Sequence, residues 1–575
     1  MKNILKKMTI GVGLMMTASC FMLQATSINA QERPNNMYGM HLAGIADQDL
    51  ADVASLVNSN GGDWGYVTIV IQENDRDKNK WQTIFDKLRR HHLIPIVRLA
   101  TRPEGPVWKR PNKEDAQGWV DFLNSLNWVV KDRYVILFNE PNHGQEWGGS
   151  VSPQTYAEIA DEFAQKFKQK NSDFKIMLAG FDASAPHAAP NYYDEEVFLR
   201  EVIQTKPHIF DNIDAWSSHA YPNPAFSGSP YARGRISIYG YEWEMGLLSR
   251  LGVTKELPIF ITETGWVHSE GTSRTRNLSV DQVAENYKIY FSQITQDKRI
   301  KAVTPFVLDY QGDPFSHFSW KKMNSPDFYP QYHAVKSLPK EKGDPEQIIK
   351  INATAELPRF LLQDSNYKVR LYLRNKGQAI LDGSSGYRIG IASSSARIES
   401  SFSNLRSVEP NAMTIIDFRM KTNVASGSQQ LAIALFKDQT KQLDLFNWKF
   451  EVKPKPNINF KTVLFPKLKA EDSNYEIQIF NEQEELVFKK GKILVQNNKG
   501  AVLGTSNVAL DEKYRIVILK PYYLPRQKIV TLKEGENNTN FEIMWPVDFN
   551  QDGKFSVDDI GKLAQKPSLL KLWLP

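Results

Sequence analysis

Two glutamates in the N-terminal half of the chain follow apolar runs and could do acid–base chemistry. The segment 135–142 reads VILFNEPN and the segment 259–266 reads IFITETGW, which places Glu140 and Glu263 directly after apolar, β-branched residues. Such runs are typical of buried strands, and an acid at a strand end must face water, a counter-charge or a substrate. The two glutamates could simply be ion-pair partners. A protonated carboxyl beside an ionised carboxylate is also the pair that glycosidic bond cleavage requires.

The elements around these glutamates predict an α/β fold. Between about residues 37 and 340, apolar runs alternate with amphipathic stretches of helical period, such as 81–92, 114–131, 153–170 and 280–297. The predicted strands are 38–44, 65–71, 94–100, 134–139, 175–181, 213–219, 258–264 and 302–309. Eight strand–helix units predict a (β/α)8 TIM barrel. Glu140 and Glu263 then follow strands four and seven at the rim where active sites of this fold lie.

The distance between the two carboxyl groups would decide the stereochemistry. A separation of about 5–5.5 Å suits retention and a wider gap suits inversion. The sequence leaves this open.

Other polar residues end predicted strands at the same rim. His219 and Tyr221 lie at the end of the sixth strand, Arg98 at the end of the third and His41 at the end of the first. Arg98 could stabilise Glu263 or form a structural ion pair with a loop. His41 could contact a sugar or pack into the rim, and His219 and Tyr221 have the same two interpretations.

Three tryptophans fall on predicted loops at this face, where planar rings could stack on sugars. Trp266, three residues after Glu263, is the best placed. For Trp147 and Trp320, packing is as plausible as sugar contact.

The tripeptide NEP at 139–141 after strand four and the pair TE at 262–263 after strand seven resemble clan A glycoside hydrolases. These are retaining (β/α)8 enzymes that include many cellulases, mannanases and xylosidases, and the resemblance covers about residues 37–340. It implies that Glu140 is the acid/base, Glu263 is the nucleophile and Asn139 binds the sugar's 2-hydroxyl. It also implies a β-linked poly- or oligosaccharide substrate and no cofactor for catalysis.

The resemblance bears on two further strands. It implies that the Tyr221 hydroxyl holds the nucleophile, with His219 beside it. Strand eight of the clan often ends in a tryptophan, whereas this chain reads VLDY at 307–310. Phe315, Phe318 or Trp320 are the candidates for that position.

From about residue 349 the pattern changes to alternating strands separated by Gly, Ser, Asn and Asp. This predicts a β-sandwich at 349–452, a stiff KPKP linker at 453–456 and a second all-β module at 456–545. The two modules resemble immunoglobulin-like and prealbumin-like domains. They could bind polysaccharide or cell wall, or act as spacers.

The tail at 547–575 contains DFNQDGKFSVDD at 548–559, followed by a helical stretch. Oxygen ligands at loop positions 1, 3 and 5, glycine at 6 and an acid at 12 predict an EF-hand-like structural Ca²⁺ site. The predicted ligands are Asp548, Asn550, Asp552, Lys554 through its carbonyl, and Asp559. The tail resembles one half of a dockerin, but it has one loop instead of two. An unliganded turn is the alternative.

The first thirty residues predict a signal peptide, with a positive n-region, an apolar stretch from 8 to about 25 and a small-residue cleavage site. An uncleaved anchor or lipidation of Cys20, the only cysteine, are alternatives. The formal charge is +6. Without the three lysines at positions 2, 6 and 7 it is 6 − 3 = +3, and no basic run suggests nucleic acid. We therefore expect a secreted or cell-surface monomer that binds carbohydrate, with envelope or cohesin-like attachment as a further partner.

Three functions fit these features. The first is retaining hydrolysis of a β-glycan. The second is transglycosylation at the same site, and the third is a catalytically inactive carbohydrate-binding surface protein.

Overall fold

The computed structural model describes residues 33–270, 277–358, 360–395, 398–422 and 426–574. The predicted signal peptide and Cys20 lie outside these residues. No helix among the described residues is long and apolar enough to cross a bilayer.

Eight parallel strands form a barrel in the first part of the structure. They are β1 (Gly39–His41), β2 (Gly65–Gln72), β3 (Leu93–Ala100), β4 (Arg133–Leu137), β5 (Phe174–Leu178), β6 (Trp216–His219), β7 (Ile259–Glu263) and β8 (Ile300–Val303). Strands β1 to β5 pair in sequence order, as do β6 to β8. Parallel bridges Met177–Ala215 and Tyr38–Val303 join the two sheets into a closed ring. This is the predicted α/β barrel.

A helix follows each strand in the described chain. They are α1 (Asp47–Val57), α2 (Lys78–Arg90), α3 (Asp115–Asn124), α4 (Pro153–Lys170), α5 (Glu195–Thr205), α6 (Gly240–Arg250), α7 (Val280–Ile294) and α8 (Pro330–Lys336). Helix α4 begins as its sequence predicts, with Ser152 accepting from the Thr155 N–H and Pro153 in the first turn.

Helix α4 also fixes the upper ends of two strands. The fully buried hydroxyl of Tyr156 accepts from Ala179 N (2.8 Å) just after β5 and donates to the Leu137 carbonyl (3.4 Å) at the end of β4. A buried hydroxyl that pairs with two backbone groups holds both in register. The segment that carries Glu140 therefore leaves the barrel from a fixed point.

The predicted eighth strand is too long. Strand β8 ends at Val303, and the segment 304–309 leaves the barrel, although Phe306 N still donates to the Thr264 carbonyl (2.9 Å) and Leu308 N to the His41 carbonyl (3.1 Å). These two bonds bring the side chain of Phe306 towards the barrel mouth, a position that the predicted strand did not assign to it.

Two β-rich units follow the barrel. The first has sheets β9-β11-β14-β13 and β10-β16-β15-β12 around a shared apolar core. Its strands are β9 (Ile351–Ala355), β10 (Phe360–Leu362), β11 (Asn366–Asn375), β12 (Tyr387–Ser394), β13 (Glu399–Phe402), β14 (Met413–Lys421), β15 (Gly427–Lys437) and β16 (Thr440–Lys453). The immunoglobulin-like topology remains a prediction.

The second unit is a seven-stranded sheet in the order β22-β21-β18-β19-β20-β17-β23. Its strands are β17 (Asn457–Lys461), β18 (Asp472–Phe480), β19 (Leu486–Gln496), β20 (Lys499–Val502), β21 (Lys513–Lys520), β22 (Tyr523–Thr531) and β23 (Glu536–Asn540). The chain ends with α9 (Val557–Gln565) and a 3-10 turn (Pro567–Trp573).

The first β-unit contacts the barrel at the loops that precede β3 and β4. Gln378, which is buried, donates to the Val130 carbonyl (2.9 Å), and Asn127 donates to the Gly377 carbonyl (2.9 Å). Arg90 forms an ion pair with Glu409 (2.7 Å). Loops before the strands lie at the N-terminal face of a barrel, so this contact is at the end opposite to the mouth.

Candidate active site

A cleft of about 910 Å³ opens at the C-terminal ends of the barrel strands. Its lining includes six of the predicted site residues, namely His41, Arg98, Asn139, Glu140, Tyr221 and Glu263. Predicted residues from strands one, three, four, six and seven therefore come together at one mouth, as expected for residues that end barrel strands.

Glu263 is the most tightly held carboxylate of the cleft. It is the last residue of β7 and is 8% exposed. The Arg98 guanidinium pairs with Oε1, and the Tyr221 hydroxyl donates to Oε2 (3.1 Å). Burial alone would raise the pKa of Glu263, but the positive charges of His219 and Arg98 and the hydrogen bond from Tyr221 outweigh it and lower the pKa to about 2. Glu263 is therefore an ionised carboxylate at neutral pH.

Two histidines lie beside Glu263. His41 Nε2 is 3.5 Å from Oε1, and burial lowers the pKa of His41 to about 3, so this ring is neutral. His219 Nδ1 is 3.9 Å from Oε2. Burial would lower the pKa of His219, but the charges of Glu263 and Glu140 raise it. Of these two histidines, His219 is therefore the one that can be protonated, and its positive charge then lies between the two glutamates.

Glu140 lies on an irregular backbone after β4. Its φ is +33°, a value that side-chain-bearing residues rarely adopt, and its N–H donates to the Gly180 carbonyl (3.1 Å). The carboxyl group shares a hydrogen bond of 2.9 Å with His219 Nδ1. Uncommon backbone conformations of this kind persist where the surroundings enforce them, and they concentrate at functional sites.

Gly180 makes room for this contact. A Cβ atom on Gly180 would lie 2.1 Å from Cδ2 and 2.4 Å from Nε2 of His219. A side chain at this position would push the histidine ring away from both glutamates. Gly180 was not among the predicted site residues, although it lies within the predicted strand 175–181, where a glycine is a signal for a close approach.

The two glutamates face each other at close range. One carboxylate oxygen of Glu140, one of Glu263 and a ring nitrogen of His219 all lie within 4.8 Å of one another. This spacing is close to the shorter of the two separations expected for glycosidase carboxylates. The three groups could also provide metal ligands, but the Arg98 cation already neutralises Glu263.

Asn139 belongs to a hydrogen-bonded chain across the cleft. Its Oδ1 accepts from Arg98 Nη1 (2.6 Å), and its Nδ2 donates to Glu146 Oε2 (3.3 Å). Burial, followed by the nearby charge of Glu140, raises the pKa of Glu146 to about 7. Glu146 was not predicted, and its only sequence signal is its place in the loop after strand four.

A second pair missed by the sequence analysis lies on the other side of Glu140. His143 Nε2 and Asp182 Oδ2 are 2.9 Å apart, and His143 Nδ1 is 3.9 Å from Glu140 Oε2. Burial opposes the charged form of His143, but the hydrogen bond to Asp182 and the charge of Glu140 raise its pKa. Glu140 thus lies between two histidines, each held by another group.

One wall of the cleft is aromatic. Phe306 contacts His41 (ring centroids 5.1 Å apart), Phe315 (5.2 Å) and Phe318 (5.6 Å). Phe315 is 38% exposed and presents its ring to the cleft. Phe315 and Phe318 were candidates for the missing strand-eight tryptophan. Phe306, which comes first after the strand, was not.

The predicted stacking role of Trp266 is wrong. Its side chain is 1% exposed, its Nε1 donates to the Gly228 carbonyl (2.7 Å), and its ring packs edge-on against Tyr287 (5.1 Å) and Tyr290 (6.0 Å). The ring turns inward because helix α7 offers an aromatic surface and Gly228 an acceptor for the indole N–H. Trp320 is buried in the same way.

A buried carboxyl pair lies behind His219. Glu195 and Glu244 are 0% and 1% exposed, and Glu244 Oε2 accepts from Trp216 Nε1 (2.7 Å). Burial raises the pKa of Glu244 to about 7 and that of Glu195 well above its usual value. These two groups can hold a proton within the barrel wall at neutral pH.

Four of the predicted calcium ligands lie on one loop before α9, and the fifth, Asp559, lies in the first turn of that helix. Asp548 is 4% exposed, its Oδ2 accepts from Gly553 N (3.1 Å), and its Oδ1 is buried with no protein partner among the described residues. Gly553 has φ +84°, as a sharp turn at position 6 requires. Asp559 accepts from the backbone N–H of Ser556 (2.7 Å), the N-cap residue of α9. The buried oxygen without a partner and the oxygen-rich loop suit a hard cation.

No family model and no curated protein match this chain. Among solved structures, a GH128 (subgroup I) endo-β-1,3-glucanase from Amycolatopsis mediterranei is 10% identical over 52% of this chain and 98% of its own, with a TM-score of 0.33. A family 51 α-L-arabinofuranosidase from Bifidobacterium longum is 11% identical over 68% and 97%, with a TM-score of 0.35. A GH5-4 broad specificity endoglucanase from Clostridium longisporum is 14% identical over 51% and 84%, with a TM-score of 0.34. Values this low assign the chain to no family.

Proposed function

We propose that the protein is a retaining glycoside hydrolase that cleaves a β-linked poly- or oligosaccharide. The observation that carries the proposal is the approach of Glu140 and Glu263, whose nearest oxygens lie within 4.8 Å inside an open cleft. Two carboxylates at this range can act on one anomeric carbon, and the spacing is nearer to the roughly 5–5.5 Å of retaining enzymes than to the wider gap of inverting ones.

The surroundings of the two groups support different roles. Glu263 is ionised and held by Arg98 and Tyr221, so its oxygens are positioned to attack. Among the described residues, the carboxyl group of Glu140 contacts His219 and His143, and His219 can follow its change of charge. A group that must give and then take a proton needs such partners, whereas fixed cations would keep it ionised.

The reaction follows in two steps. Glu263 attacks the anomeric carbon and forms a glycosyl ester while the bond to the leaving oxygen breaks, and Glu140 gives its proton to that oxygen. Glu140 then removes a proton from water, whose oxygen attacks the anomeric carbon and releases Glu263 as a carboxylate. All protons and electron pairs in these two steps are accounted for without a cofactor. The aromatic wall of Phe306, Phe315 and Phe318 is suited to the faces of sugar rings.

The test is a panel of β-glycans and aryl β-glycosides, with released reducing ends and the anomer of the first product measured by NMR. We expect turnover with retained configuration, and a loss of about 10⁴-fold or more in Glu263→Ala, which removes the nucleophile. Azide added to Glu263→Ala should give a glycosyl azide of inverted configuration, since azide replaces the carboxylate.

Glu285→Gln is the matched control, because Glu285 is an exposed glutamate of α7 far from the cleft. Inverted product from the wild-type protein would rule out the retaining mechanism. Sugar binding with no turnover in the wild type would favour the carbohydrate-binding alternative, and larger products with added acceptor sugar would favour transglycosylation.

We also propose a secreted or cell-surface location and a Ca²⁺ site in the tail, whose support is the leader sequence and the buried Asp548 Oδ1 without a partner. Calcium titration of the full chain should saturate at one ion and raise the tail's resistance to proteolysis. Asp548→Asn should weaken binding, while Asp558→Asn, at an exposed position outside the ligand set, should not. Equal behaviour of both variants would contradict the site.

A further inference from the structure

A third carboxyl group, that of Glu146, lies in the cleft and has no part in the mechanism above. It belongs to the short turn Gly144–Glu146 and lines the same cleft as Glu140 and Glu263. The next residue fixes its place, because the Trp147 ring is fully buried against Phe138 (5.9 Å) and Tyr156 (5.3 Å). Glu146 is thus held at the cleft by a packed neighbour.

Glu146 is one end of a continuous chain of polar contacts. Its Oε2 accepts from Asn139 Nδ2 (3.3 Å), Asn139 Oδ1 accepts from Arg98 Nη1 (2.6 Å), and Arg98 pairs with Glu263. Each end of the Asn139 amide therefore has one partner, Arg98 at the oxygen and Glu146 at the nitrogen. The second N–H of the amide is left for an acceptor in the cleft.

We propose that Glu146 is a positioning residue that fixes the Asn139 amide and, through Asn139 and Arg98, the side chain of Glu263. This inference rests on the proposed hydrolase function. Without Glu146, the Asn139 N–H loses its acceptor. The amide can then rotate away from the orientation in which its oxygen accepts from Arg98. The nucleophile would then be held by one contact fewer along this chain.

The charge of Glu146 also affects the acid/base. The charged or titratable groups that face it are Glu140, Arg98, Glu263 and His143. Its pKa near 7 means that Glu146 ionises as the pH rises through neutrality. The new negative charge lies in the same cleft as Glu140 and opposes a second negative charge beside it. In the wild type, the alkaline limb of the activity profile should therefore extend to higher pH than it would without this charge.

Two variants separate these effects. Glu146→Gln keeps an acceptor for Asn139 and removes the charge, whereas Glu146→Ala removes both. We expect Glu146→Ala to lower kcat/KM about tenfold, mainly through kcat, as for one lost hydrogen bond to a charged group. We expect Glu146→Gln to retain most activity below neutral pH and to lose it at lower pH than the wild type on the alkaline side.

Glu285→Gln again serves as control for the loss of an acid that does not face the cleft. A purely structural role of Glu146 would leave the alkaline limb of Glu146→Gln unmoved. Wild-type kcat/KM in a folded Glu146→Ala variant would overturn the positioning role. An unchanged pH profile in Glu146→Gln would overturn the effect of the charge, even if Glu146→Ala failed to fold. If the wild type itself releases no sugar, both proposals fail together. If the wild type is active and the variants match it, only the role of Glu146 fails.

Discussion

The ends of β7 and β4 present one glutamate each to the same cleft, but they hold it in different ways. Glu263 ends a regular strand and is fixed by a guanidinium and a phenol hydroxyl. Glu140 follows an irregular turn with positive φ, and its carboxyl group faces two histidines. The first site keeps one charge state and one geometry, whereas the second can change its charge.

In the proposed mechanism, this difference prepares two identical side chains of one barrel for unlike tasks. The charges of His219 and Arg98, with the hydrogen bond from Tyr221, lower the pKa of Glu263 to about 2 against the effect of burial. The partners of Glu140 are themselves titratable, so they can respond when it loses or gains a proton. Changes that make the two sites more alike should therefore impair the reaction most.

Removal of Arg98 should have the largest effect on this contrast. Arg98→Leu leaves Glu263 buried without its cation, so we expect kcat/KM to fall by roughly 1000-fold, as for a buried charge that loses its partner. The pKa of Glu263 should rise, which moves the acid limb of the pH profile upwards. Arg98→Lys keeps a positive charge and should retain part of the activity. If the acid limb of the pH profile of Arg98→Leu coincided with that of the wild type, Arg98 would not be what keeps Glu263 ionised.

Gly180→Ala should disturb Glu140 through His219. The added Cβ would fall 2.1 Å from the His219 ring, which must then move from both glutamates. We expect a loss of about 100-fold in kcat, since a displacement of this size misplaces a catalytic group. Gly561→Ala, in open space on α9, is the control and should have wild-type kinetics. A fully active Gly180→Ala variant would show that the His219 contact is not needed.

Tyr221→Phe removes one hydrogen-bond donor from Glu263 and none from Glu140, so it tests the contacts of Glu263 alone. We expect kcat/KM to fall about tenfold, which corresponds to one hydrogen bond to a charged group. Because the hydroxyl favours the ionised form of Glu263, the acid limb should shift to higher pH, but less than in Arg98→Leu. A kinetic pH profile identical to the wild type would mean that the Tyr221 hydroxyl does not help to keep Glu263 ionised.

The smallest expected effect is on stability and comes from the buried pair behind His219. The folded-state pKa of Glu244 is raised to about 7, so its contribution to stability falls as the pH rises from the unfolded value of about 4.3 to 7. Glu244→Gln should raise the melting temperature by about 2–4 °C above neutrality and change it less in acid. Glu242→Gln, exposed on the same helix, should not. If Glu244→Gln and the wild type had the same melting temperature at every pH, the buried carboxyl group of Glu244 would not hold a proton.

The sequence was sufficient for residues whose position follows from strand ends alone. Apolar runs located the barrel strands, and the fold requires a side chain directly after strands four and seven to face the mouth. The proximity of Arg98, His41, His219 and Tyr221 follows from the same rule. Their ring and guanidinium contacts depend on directions that a pattern does not contain.

Residues on loops could not be placed in this way. The ring of Trp266 is directed by Tyr287 and Tyr290 of α7, which the sequence separates from it by about twenty residues. Glu146 reaches the cleft because Trp147 is buried beside it. Phe306 reaches the cleft because the segment after β8 stays hydrogen-bonded to the chain at Thr264 and at His41. In each case tertiary packing determines the side-chain direction, and periodicity carries no information about it.

The contact between Gln378 and the loop before β4 has a consequence for how the chain can meet an insoluble polymer. It joins the first β-unit to the N-terminal face of the barrel, at the end opposite to the cleft. The residues that line the cleft in the described part of the chain accordingly include none from that unit. The first β-unit therefore does not narrow the entrance, and a long ligand could approach the cleft without meeting it.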